Sequence, residues 1–103
     1  MRVLVTGARA PAALDLARAF RAAGCAVALA DSVTPFAASL SRPKLVNHRL
    51  PPPRFAFAAF RACLRALVPS FDLIVPTCEE VFWLAAAAER DGWTERLLSL
   101  IHI

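Results

Sequence analysis

The sequence predicts an α/β domain in three layers: a sheet of about four mainly parallel strands with helices on both faces. Three observations carry that expectation. An apolar β-branched run, a glycine turn and an amphipathic helix follow one another over residues 3–20 without a spare residue. Short apolar runs of strand length then recur at 25–30 and 72–76, separated by helical stretches, as buried parallel strands do. The composition is 58% hydrophobic, much of it alanine, the best helix former.

Each element has its own warrant. Val3, Leu4 and Val5 form the first strand, and the stretch from Thr6 to Ala10 turns. Pro11 suits a first helical turn, where a missing N–H costs nothing, so the first helix starts near residue 10 or 11. Asp15, Arg18 and Arg21 mark its polar face; Leu16 and Phe20, with Ala13, Leu14 and Ala17, are expected on the buried side, and Gly24 stops it. Residues 25–30 form the second strand, closing at Asp31 and Ser32, and the crossover is expected to be right-handed. Thr34 to Leu40 predicts a short helix closed by Pro43, and 45–49 a third strand cut off by the triple proline at 51–53. A second strong helix is expected over 54–68, with Phe57, Phe60, Leu64 and Leu67 inward and Arg54, Ala58, Arg61 and Arg65 outward. Residues 72–76 give the fourth strand, with Pro76 at its exit. Thr77 and Glu80 then have the spacing of a capping box. The helix that follows has no charge from Val81 to Ala88, so Phe82 or Trp83 is left facing something outside the domain; Asp91 and Gly92 end it. Trp93, Leu97, Leu100 and Ile101 recur at helical spacing and predict a last short helix. The strands are expected in the order third, second, first, fourth, which puts the turn after the first strand beside Thr77 at the switch point.

Composition narrows the function. A chain of 103 residues makes one domain. No run approaches the roughly 18 apolar residues of a membrane span, and Asp15 and Arg18 interrupt the first segment, so a cytoplasmic protein with neither membrane span nor signal peptide is expected. The net charge of +4 comes from arginine, Lys44 being the only lysine. Those arginines are spread over helix faces instead of clustering with aromatic residues, which argues against a nucleic-acid partner. Cys25, Cys63 and Cys78 form neither a CxxC nor a zinc pattern, so reduced thiols and no metal site are expected.

Chemistry is confined to a few positions. The turn from Thr6 to Ala13 overlaps the glycine fingerprint of nicotinamide-dependent reductases and epimerases, and Asp31 stands where such proteins bind a ribose hydroxyl. Only Gly7 of that fingerprint is present, and the Cβ atoms of Ala10 and Ala13 crowd a pyrophosphate's approach. Arg9, beside a helix N-terminus, suits a carboxylate or phosphate. Glu79 and Glu80 could form an acidic pair for an amine or a metal; packing explains Cys78 and capping explains Glu80, which leaves Glu79 freer to meet a ligand. His48 and His102 have no partner at ligand spacing.

The segments 3–18, 30–32, 51–54 and 72–82, with the GARAP turn at 7–11 and the PTCEE helix start at 76–80, together resemble the N-terminal domain of ATP-grasp proteins of the carbamoyl-phosphate-synthase-like and carboxylate–amine ligase group. The likeness runs from Arg2 to about Ala86, and past Gly92 the pattern is not followed. It implies a Rossmann-like pre-ATP-grasp domain over 1–92 in a parent ligase that activates a carboxylate as an acyl phosphate for attack by an amine. On that resemblance Gly7, Arg9, Thr77 and Glu79 are the substrate-binding candidates. ATP and Mg²⁺ belong to further, C-terminal domains, and this chain alone holds no catalytic residue or cofactor. Residues 98–103 resemble the peptide that results when sequencing-adapter DNA is translated, so 93–103 is expected to be a tail that need not be native, on a fragment of the parent. Two other readings stay open: the N-terminal domain of a nicotinamide-dependent reductase or epimerase, and an α/β binding module without chemistry.

Overall fold

The computed structural model describes residues 1–7, 11–31, 46–77 and 81–97. It is an α/β fold. Strands β1 (Arg2–Thr6), β2 (Ala26–Asp31), β3 (Val46–Arg49) and β4 (Leu73–Val75) make one sheet in the order β3-β2-β1-β4, and every pair is parallel. That is the order the sequence predicts. Helix α1 (Pro11–Ala22) covers one face; helices α2 (Phe57–Leu67) and α3 (Val81–Asp91) cover the other.

The division of the core follows from strand alternation. In β1, Val3 and Val5 pack with Ala13 and Ala17 of α1, together with Leu29 and Val75. Leu4 points the other way, into a larger cluster with Phe60, Leu64, Ile74, Leu84 and Trp93. Thr6 has the parity of Leu4 and is 1% exposed. Alanines at the α1 seam bring that helix close to the sheet, and this corrects one expectation. Ala13 and Ala17 are fully buried with Leu14 and Phe20 beside them, but Leu16 is 37% exposed. At about 100° per residue Leu16 lies a full step round the helix from Ala17, beyond the narrow stripe the sheet covers.

Local chemistry sets the helix ends. After α1 the Gly24 N–H donates to the Arg21 carbonyl (3.0 Å) and the Cys25 N–H to that of Phe20 (3.0 Å), a Schellman closure that needs Gly24 at φ +91°. Helix α2 starts at Phe57 instead of residue 54, because the N–H groups of Phe55 and Ala56 both turn back to the Pro52 carbonyl (3.2 and 2.9 Å). Its other end tightens into a 3₁₀ turn over Val68–Ser70. The Arg96 guanidinium closes that end by donating to the carbonyls of Val68 (3.0 Å) and Phe71 (2.9 Å). Arg61, expected on a solvated face, instead forms a two-point pair with Asp91 at the end of α3 (2.8 and 3.3 Å), the two side chains being 24% and 7% exposed.

The last helix predicted by the sequence does not form where the residues are described. Trp93 is 6% exposed in the core, Thr94–Arg96 make one 3₁₀ turn, and Leu97 is extended, bridging in parallel to Ile74. The free edge of β4 and the burial of Trp93 outweigh the helical spacing, and Leu97 packs against the core. The short helix expected over 34–40 falls outside the described residues, as does Glu80 of the expected capping box.

Candidate functional site

In this strand order the chain turns back between β1 and β4, so the crevice at their carboxyl ends is the switch point where open α/β sheets take ligands. The two exits are fastened together. Thr77, two residues after β4, has one hydroxyl hydrogen, shared between the carbonyls of Thr6 (2.6 Å) and Gly7 (3.2 Å) at the end of β1. Gly7 has φ +76°, a left-handed conformation that a residue with a Cβ resists, and its N–H donates to the Ala30 carbonyl of β2 (3.0 Å). Gly7 and Thr77, named as candidates seventy residues apart, thus meet.

The other named positions fare differently. Arg9 and Glu79 lie outside the described residues, as do Cys78 and Glu80. Asp31 closes β2 with 7% exposure, and its carbonyl accepts the Leu50 N–H (2.9 Å). His48 is half-buried and meets the ring of Phe71 edge-on, with centroids 6.4 Å apart, which is a packing role. Cys25 and Cys63 are half-buried free thiols. Among the described residues no cluster of three or more His, Cys, Asp or Glu side chains is suited to hold a metal, and no helix is long and apolar enough to cross a membrane. No protein-family model matches the chain, and no curated protein or solved structure matches it.

One polar group at the crevice escaped the reading of the sequence. The hydroxyl of Thr6, the residue whose carbonyl Thr77 holds, is buried without a hydrogen-bond partner among the described residues. The alternation of β1 assigns it to the α2/α3 face, a signal present in the sequence, but its lack of a partner is visible only in three dimensions. The described structure also contains a cavity of about 180 Å³, lined by Arg65, Val68, Asp91, Trp93, Glu95 and Arg96. It sits beside the amino end of β4, at the opposite edge from the switch point. Two of its four charged side chains are committed to the fold, Asp91 to Arg61 and Arg96 to two backbone carbonyls. Asp91 is held below the usual carboxylate range, chiefly by the hydrogen bond from Arg61, and Arg61 is correspondingly raised. Asp72, at the same edge, is lowered chiefly by the backbone N–H of Arg2 (2.8 Å).

Proposed function

We propose that the chain is the substrate-side domain of an ATP-dependent ligase of the ATP-grasp type, in which a carboxylate is activated as an acyl phosphate and captured by an amine. The observation that carries the reading is the fastening of the two strand exits by Thr77 on the carbonyls of Thr6 and Gly7. It ties the exits of β1 and β4 into a fixed floor for the switch point, within two of the four segments where the sequence resembles that family. In this proposal Gly7 and Thr77 shape the floor, while Arg9 and Glu79, each two residues further along the sequence, supply a cation for a carboxylate and an anion for an amine. ATP and Mg²⁺ are held by further domains, and this chain contributes binding and orientation only.

Titration of the ¹⁵N-labelled chain tests the reading. With L-alanine and L-glutamate as probes, amide shifts are expected at Thr6, Gly7 and Thr77, and they are lost in Arg9→Ala. Micromolar binding of NADH, abolished by Asp31→Ala, overturns the reading in favour of a nicotinamide-dependent enzyme.

A further inference from the structure

The cavity beside the amino end of β4 is walled by three pieces of chain: the end of α2 with its 3₁₀ turn, the end of α3, and the turn that follows Trp93. At about 180 Å³ it exceeds the roughly 150 Å³ that admits a benzene-sized ligand, so a molecule of about six heavy atoms fits. Its charged groups divide by what the fold already uses. Both carboxylate oxygens of Asp91 are engaged by Arg61 (2.8 and 3.3 Å). Arg96 is only half used. Its Nη1 donates to the carbonyls of Val68 (3.0 Å) and Phe71 (2.9 Å), which fixes the guanidinium plane, while Nε and Nη2 have no partner among the described residues. Those two nitrogens form an edge that can receive both oxygens of a carboxylate. Arg65 and Glu95 line the same cavity, and neither makes a hydrogen bond or ion pair among the described residues, even with the other.

Two cations and one anion therefore surround a space the size of a small molecule. A preset guanidinium loses little freedom when it takes a ligand, so the open edge of Arg96 is the natural anchor. Phosphate would set its second negative charge against Glu95 and Asp91, whereas a carboxylate brings one charge in the planar form that this edge matches. An ammonium on the same ligand answers Glu95. Val68, Pro69 and Trp93 give the lining an apolar part for a short carbon chain. We propose that this cavity binds a small amino carboxylate, its carboxylate on Arg65 and the open edge of Arg96 and its ammonium on Glu95. The site stands apart from the ligase reading, since it shares no residue with the switch point.

The test titrates the whole ¹⁵N-labelled chain at low salt with L-alanine, propionate and L-alaninamide, three molecules of similar size that carry both charges, the anion alone or the cation alone. L-alanine should shift the backbone amides of Arg65, Val68 and residues 91–96. The Trp93 indole N–H, buried without a partner among the described residues, reports from the wall of the cavity. L-alanine should bind at least about fivefold more tightly than either analogue. Arg65→Gln, at an exposed position that the fold does not use, should weaken L-alanine and propionate alike by about threefold or more. Glu95→Gln should remove the advantage of L-alanine over propionate while leaving propionate bound. Arg9→Ala should leave all these shifts in place, so failure at the switch point and failure here are separable. Absence of shifts at these residues with L-alanine up to about 50 mM overturns the proposal. So does L-alaninamide binding as tightly as L-alanine, inorganic phosphate binding more tightly, or unchanged binding in Arg65→Gln.

Discussion

Replacing Thr77 by valine removes the hydroxyl that fastens β4 to the end of β1 while keeping the side chain's shape. The hydrogen of that hydroxyl is shared between two carbonyls, and the 2.6 Å contact to Thr6 carries most of it, so one hydrogen bond is lost, not two. The residues that accept it are buried, Thr6 at 1% exposure, so water replaces the lost donor poorly. The expected cost is about 1 kcal/mol, rising toward about 2 if the Thr6 carbonyl stays dry. For a domain of this size that lowers Tm by roughly 4–12 °C. Thermal unfolding followed by circular dichroism measures it, with Thr77→Ser as the control that keeps the hydroxyl. An unchanged Tm in the valine variant, or a serine variant that falls as far as valine, would refute the fastening role.

Three further outcomes follow from the packing and charge. Leu64→Ala, at a fully buried position, should cost about 2–5 kcal/mol in denaturant unfolding, whereas Leu16→Ala, on the exposed side of α1, should cost under about 0.5 kcal/mol. Gly24→Ala should destabilise by about 1 kcal/mol from backbone conformation alone. At φ +91° an added Cβ meets nothing within 4 Å, so relieving a clash elsewhere should not rescue it. Asp91 and Asp72 have lowered folded-state pKa values, so the stability they give is present above the ordinary carboxylate value of about 3.9 and is lost as pH falls through their folded values. Melting temperatures measured from pH 7 downward should therefore drop below about pH 4, and Asp91→Asn should lower Tm at pH 7 while flattening that drop.

The β1–α1 unit and the strand order were legible because each is written in local signals: a β-branched run, Pro11 inside a helix start, Gly24 just past a helix end. The meeting of Gly7 with Thr77 was legible too, since topology alone puts the exits of β1 and β4 side by side. Other features depend on neighbours that a single sequence does not reveal. Leu16 has the spacing of a buried residue, but the alanine seam lets the sheet cover only a narrow stripe of α1. Trp93 and Leu97 have helical spacing, yet the open edge of β4 draws Leu97 into an extended bridge. Arg61 looks solvated until α3 delivers Asp91 to it, thirty residues away. Arg96 likewise gives no sign of closing the end of α2, because carbonyls without partners carry no signature in sequence. The uncovered Phe82 and Trp83 were readable from the charge-free run over residues 81–88.

Extending the source DNA past the codon for Gly92 tests the central proposal, a substrate-side domain within a larger ligase, most directly. The account predicts an open reading frame continuing for roughly two hundred residues or more, with a glycine-rich loop and acidic metal ligands. A genuine stop codon directly after Ile103 would contradict it and leave a small α/β binding domain.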